Sequence, residues 1–171
     1  MSSARLADGV GTVLAHEIAA GVVDPEMPFL SLEDLGVLRD VGVTAEGGVR
    51  VAITPTYTGC PALTAMRDDL VRRLGEAGFD PVEVVVELDP AWSSDDITDR
   101  GRQALRDHGL SPPAPVGNVV ALPLIRKPRE LICPLCGAGP AQLVSEFGST
   151  SCKALYRCPS CLEPFEHVKE L

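Results

Sequence analysis

Two Cys-x-x-Cys turns, Cys133-Pro134-Leu135-Cys136 and Cys158-Pro159-Ser160-Cys161, stand 21 residues apart in the last third of a 171-residue chain. Each turn can wrap one ion with two thiolates, and two turns together complete a tetrahedral four-sulfur site. Gly137 after the first pair suits a knuckle, where the backbone must come close to the ligand sulfurs. The residues between the turns predict a short hairpin, with Leu143, Val144 and Phe147 in one arm and Leu155 and Tyr156 in the other. A module this small buries too little apolar surface to fold alone, so the metal is expected to supply the missing free energy. Zinc is the expected ion, structural and one per chain. Iron in the same site, an iron–sulfur cluster, and disulfide pairing are the alternatives. A complete four-thiolate site leaves no coordination position for water or substrate, which points to a structural or docking role.

The remaining thiols are Cys152, which reads as a spare buried cysteine, an alternative ligand or a transient metal-transfer thiol, and Cys60, alone in the first two thirds. His167, beyond the second turn, reads as a surface residue. Five of six cysteines between positions 133 and 161 favour a metal over a secreted disulfide framework. Lys and Arg number 15 against 24 Asp and Glu, a net charge of -9 spread along the chain. That excess repels phosphate backbones, and Arg126-Lys127-Pro128-Arg129 reads as a solvated linker; no nucleic-acid partner is expected. The first eight residues lack the apolar core of a signal peptide, and no apolar run approaches the ~20 residues of a membrane span. A soluble cytoplasmic protein without a membrane partner is the expectation.

The first part of the chain predicts an α+β layer. Leu6, Val10, Val13, Leu14 and Ile18 recur at helical spacing over residues 4–19 and are expected to face inward, although Gly9 and Gly11 weaken that helix. Asp24-Pro25-Glu26-Met27-Pro28 predicts a rigid connection, and Ser31 to Asp34 a capped turn ended by Gly36. A strand over 37–43 turns at 46–48 into an alternating strand whose Val49, Val51 and Ile53 face the core while Arg50 and Thr54 face away. Pro61 opens a helix burying Leu63, Met66, Leu70 and Leu74, and Pro81 to Leu88 supplies another strand. Ser94 is the expected cap of a further helix, with Ile97 and Leu105 inward and His108-Gly109 closing it. The domains read as 1–110 for this layer, 111–130 for a proline-rich linker with a short strand at 119–125, and 131–171 for the four-cysteine ribbon.

Cys60 sits between Gly59 and Pro61 at the start of the 61–74 helix, where backbone N–H groups and the helix dipole favour a thiolate. It reads equally as a small buried residue at a tight turn. Thr54, Thr56 and Thr58 flank it, Asp24 and Glu26 are candidate neighbours, and Trp92 is a packing residue near the same end of the sheet. His16, His108 and His167 are the available bases, and none shows a local pattern tying it to Cys60, so no catalytic residue is assigned.

These segments carry a resemblance. Asp24-Pro25-Glu26-x-Pro28, Ser31-x-x-Asp34-Leu35-Gly36, Thr54-Pro55-Thr56-Tyr57-Thr58-Gly59-Cys60-Pro61 and Trp92 after a valine-rich strand resemble the MIP18-like family of iron–sulfur assembly factors. With Phe147-Gly148-Ser149-Thr150-x-Cys152-Lys153-Ala154-Leu155-Tyr156-Arg157-Cys158 the chain is similar to one branch of it, the D subunits of bacterial phenylacetyl-CoA epoxidase systems. The resemblance covers nearly the whole chain and implies a small mixed sheet with helices, followed by a zinc ribbon. It further implies an accessory role in aerobic phenylacetate degradation, assisting assembly or insertion of the iron–sulfur cluster of the epoxidase reductase, with the reductase and the oxygenase complex as partners. The family's candidate cluster contact matches Cys60, and Glu26 belongs to the same signature. One thiol per chain cannot hold a transient cluster, so two protomers or one recipient protein must complete it, and a homodimer presenting two Cys60 thiolates is the preferred expectation. Consistent with an accessory, the chain lacks paired Glu-x-x-His helices, a glycine-rich dinucleotide fingerprint and the ferredoxin spacing of cysteines.

Overall fold

The computed structural model describes residues 3–57, 59–116 and 130–171, with side chains from residue 9 onward. These form two compact units, Met1–Trp92 and Ser93–Leu171.

In the first unit the elements are α1 (Ser3–Ala20), β1 (Val23–Asp24), β2 (Met27–Ser31), β3 (Leu38–Val43), β4 (Val49–Ile53), α2 (Ala62–Glu76) and β5 (Val82–Val86). β3, β4 and β5 make a mixed sheet in that order, with β3 antiparallel and β5 parallel to the central β4. A parallel neighbour needs a crossover, and α2 supplies it, burying Ala62, Met66, Leu70 and Leu74. Val49, Val51 and Ile53 face the core as their alternation predicts. Thr54, expected to face away, is buried at the end of the central strand, where its N–H donates to Val37 O.

Two further expectations are corrected here. Three members of the stripe predicted to face inward are outside: Val10, Val13 and Leu14 are 70%, 59% and 45% exposed, while Ile18 is half-buried, Ala15 and Ala19 are buried, and the Leu6 side chain lies outside the described residues. Small residues let the helix lie close to the sheet; a Cβ on Gly11 would stand 3.9 Å from Val43 Cγ1. Periodicity weighted by apolar bulk therefore picked the wrong face. The segment around Asp24 is a hairpin, β1 pairing antiparallel with β2, and not a plain connection. Asp24 makes the turn by accepting from the N–H groups of Glu26 (2.6 Å) and Met27 (2.9 Å).

The second unit holds a 3₁₀ turn (Ser94–Asp96), α3 (Asp99–Asp107), β6 (Gln142–Ser145), β7 (Lys153–Arg157) and β8 (Pro164–Val168). The helix expected from Ser94 is split. Ser93 caps the 3₁₀ turn in a capping box with Asp96, and Thr98 caps α3 through Gly101 N–H at 3.0 Å. Ile97 and Leu105 are buried as expected. α3 thus groups with the ribbon and not with the sheet of the first unit, in contrast to a boundary near residue 110. The start of the linker is also engaged: Ser111 bridges His167 in parallel, its N–H donating to Glu166 O at 2.9 Å. The strand expected at 119–125 and the basic run 126–129 lie outside the described residues. The ribbon is a three-stranded antiparallel sheet in the order β6-β7-β8, one strand more than the predicted hairpin.

Candidate metal centre

Among the described residues six buried side chains of the ribbon pack in one cluster, Cys133, Ala141, Ala154, Tyr156, Cys158 and Phe165, and two of these are thiols. Tyr156 stacks on Phe165 with ring centroids 6.1 Å apart, and His167 meets Tyr156 edge-on at 5.8 Å. Around this core the two knuckles converge. Cys133 Sγ lies 3.8 Å from Cys161 Sγ and Cys136 Sγ 3.5 Å from Cys158 Sγ, with all four sulfurs within 4.8 Å of one another. Four thiolates about 2.3 Å from one ion at tetrahedral angles stand about 3.8 Å apart, so the donor set fits such an ion.

The backbone favours the charged form of these ligands unevenly. Cys158 Sγ accepts from the N–H groups of Ser160 and Cys161, each at 3.4 Å. The Cys161 N–H lowers the Cys158 pKa most, burial opposes it, and the Ser160 N–H and the neighbouring sulfurs help bring it to about 6. For Cys161, the Glu163 N–H lowers the value, but loss of water and the three neighbouring sulfurs push it up to about 12. Four thiolates this close cannot all ionise without a cation among them. Cys133 and Cys158 are buried while Cys136 and Cys161 are exposed, so each knuckle offers one inner and one outer sulfur.

After their second cysteines both knuckles need a left-handed residue. Gly137 provides it at φ 73°, but Leu162 occupies the equivalent place at φ 66°. Cys152 is outside the four-sulfur group; its Sγ is 3.1 Å from Thr150 Oγ1. His167, expected at the surface, is completely buried, with Nδ1 3.2 Å from both Ser111 O and Ser111 Oγ and Nε2 3.3 Å from Glu170 Oε1. Burial alone would raise the Glu170 pKa, yet the His167 ring and the Ala114 N–H bring it down to about 2. The same carboxylate thereby fastens Ala114, 3.0 Å away, to the ribbon. A second network joins Glu166 to Ser149 and to the buried Lys153, whose Nζ is 3.5 Å from Glu166 Oε2. Neither network was foreseen, because the partners lie 13 to 56 residues apart or, for His167 and Glu170, three apart just beyond a strand.

In the first unit Cys60 is half-buried ahead of α2, its N–H donating to Tyr57 O (3.2 Å) and its carbonyl accepting from Leu63 N–H (3.3 Å). Gly59 before it has φ 88°, which swings the chain into that turn. Thr56 is half-buried, Glu26 exposed, and Asp24 buried with one oxygen committed to its own turn. Thr58 lies outside the described residues. Among the described residues no three metal-ligating side chains gather around Cys60, so Asp24, Glu26 and Cys60 do not make a complete ion site within one chain. Trp92 is buried and donates from Nε1 to Leu35 O at 2.8 Å, in keeping with a packing role.

Known proteins share both halves. The family described as iron–sulfur cluster assembly protein matches residues 20–86, and that described as PaaD zinc beta ribbon domain matches residues 121–169. The D subunit of the putative 1,2-phenylacetyl-CoA epoxidase of Escherichia coli K12 is 46% identical over 157 residues, covering 90% of this chain and 92% of that protein. An Fe-S protein maturation auxiliary factor of Porphyromonas gingivalis is 33% identical over 75 residues, covering 43% of this chain and 70% of its own length. The crystal structure of a domain of unknown function, DUF59, from Bacillus anthracis superposes with a TM-score of 0.50 at 22% identity, covering 59% of this chain and 96% of that one.

Proposed function

This chain belongs to the family of phenylacetyl-CoA epoxidase D subunits, and we propose from that premise that it is an accessory factor that matures the epoxidase system instead of carrying out the oxidation. It helps assemble or insert the iron–sulfur cluster of the reductase component, in the cytoplasm. The observation that carries the reading is the union, in one chain, of an assembly-type domain over 20–86 with a ribbon whose four sulfurs close around a single point.

The two sites divide the work. Cys133, Cys136, Cys158 and Cys161 hold one zinc ion, which ties the knuckles together and leaves no open position for chemistry. Cys60 is the contact for the cluster in transit, with Glu26, Asp24 and Thr56 the candidate polar groups of the same site; Thr58, the remaining candidate, lies outside the described residues. Since among the described residues one chain gathers no full ligand set there, the other ligands come from the recipient or from a second copy. Charge favours the recipient: 15 of the 24 acidic residues but six of the 15 basic ones lie in Met1–Trp92, so that unit carries the whole -9 and repels its like.

The test is to produce the reductase with and without this protein and to assay its iron, sulfide and flavin separately. Loss of iron and sulfide with flavin retained is expected; full cluster content without the protein refutes the reading. A Cys60→Ser chain should fail to restore the cluster, and normal restoration would remove Cys60 from the path. A second reading, a subunit that stays bound without moving metal, is favoured by the exposed Leu143, Val144 and Phe147 on the ribbon. It requires co-purification at a fixed ratio, whereas a maturation factor dissociates.

A further inference from the structure

Val10, Val13, Leu14 and Glu17 follow one another at i, i+3, i+4 and i+7 along α1 and are all exposed. Their apolar members are the bulkiest on the helix from residue 9 onward apart from Ile18, whereas the face turned to the sheet is built from Gly11, Ala15 and Ala19. A helix that needed only to cover β3 would gain by putting bulk inside; this one keeps only small residues inside and sets its bulky Val10, Val13 and Leu14 outside, beside the polar His16 and Glu17. Leaving two valines and a leucine in water contributes nothing to the unit's own stability, so the stripe has the form of a helix face made to enter a groove.

The charge of the unit selects what that groove is. The whole net charge of -9 resides in Met1–Trp92, while Ser93–Leu171 holds nine acidic and nine basic residues. Arg50, Arg72 and Arg73 pair with Glu87, Asp69 and Glu76, so three acids are matched by three arginines and the unit's excess of nine negative charges stays unbalanced. A second copy brings the same charge against it, and anionic lipid or nucleic acid is repelled. We infer that the exposed Val10-Val13-Leu14 face of α1 is a docking surface for a different protein that offers an apolar groove rimmed with lysine or arginine. The inference is independent of the maturation role, since a partner of any activity meets its terms.

The test uses the full metal-loaded chain and two amphipathic helical peptides, one of leucine and lysine and one with glutamate in every lysine position. Titration calorimetry at low and high salt should find binding of the lysine peptide that weakens with salt, no binding of the glutamate peptide, and a loss of at least about tenfold in the V10S/V13S/L14S variant. Hydrogen exchange on the unaltered chain supplies a measurement free of any folding defect: the lysine peptide should protect residues 9–17 selectively. Equal binding by the variant, equal binding of both peptides, or protection elsewhere overturns the inference. So does sedimentation showing self-association that the triple substitution abolishes, which assigns the face to a second copy. Slow alkylation of a Val13→Cys residue in the peptide-free monomer also overturns it, by showing that the chain covers the face itself.

Discussion

The two halves of this chain solve the same problem with different means. In Met1–Trp92 the core is Leu30, Leu32, Leu35, Val37, Ile53, Leu70 and Leu74, all buried, and the fold stands on apolar area removed from water. Among the described residues of the ribbon the core cluster has six members, two of them the knuckle thiols Cys133 and Cys158, while Leu143, Val144 and Phe147 stay outside. Where the apolar core is this small, polar anchors take over: four sulfurs, the buried His167–Glu170 pair and the Lys153–Glu166 pair. The difference teaches that a shared chain does not imply a shared source of stability. Each half should fail under a different insult.

The largest effect expected is from Cys158→Ser. If the four sulfurs hold zinc as proposed, the variant should lose the ion, and with it a contribution on the order of 10 kcal/mol to the ribbon. Limited proteolysis should then cut within 131–171 while the emission of Trp92, the single tryptophan, stays native. Zinc retained at one per chain would break the comparison. The converse substitution, Leu70→Ala, should cost the first unit about 2–5 kcal/mol by leaving a cavity under α2, seen as an earlier Trp92 unfolding transition with zinc content unchanged.

Smaller effects sharpen the comparison inside the second unit. Glu170 has its pKa lowered from 4.5 to about 2, so its contact adds stability that is whole above 4.5 and is lost as pH falls toward 2. Glu170→Gln should therefore destabilise the ribbon by about 1 kcal/mol near neutral pH. The gap between variant and parent should close as acid is added, and a gap that widens instead would show that the sign is wrong. The smallest change is Leu162→Gly, which relieves a left-handed leucine and should stabilise the ribbon by up to about 1 kcal/mol in thermal unfolding. A loss would mean that the Leu162 side chain has packing within the chain.

Much of this was legible in the sequence because the relevant signals are local. The knuckles are visible in four-residue turns, the β4–α2–β5 crossover in alternation followed by a 3.6 period, and the Ser31–Asp34 turn in its capping pattern. What escaped depends on which surface meets which. The face of α1 could not be chosen from bulk, because Gly11, Ala15 and Ala19 win by allowing close approach. His167 was misplaced because its burial follows from Ser111, 56 residues earlier, lying against β8. The grouping of α3 with the ribbon has no sequence mark, since the proline-rich segment after it looks like a boundary whichever unit the helix joins. At Cys60 the motif was plain, but no spacing could tell how Asp24 is spent on its own hairpin turn.

The central claim, that zinc holds one half and apolar burial the other, is tested most directly by region-resolved hydrogen exchange before and after a strong chelator removes the metal. The account predicts that exchange rises throughout 131–168 while β3, β4, β5 and α2 keep their protection. Equal loss of protection in both halves, or none in the ribbon once the ion is gone, would contradict it.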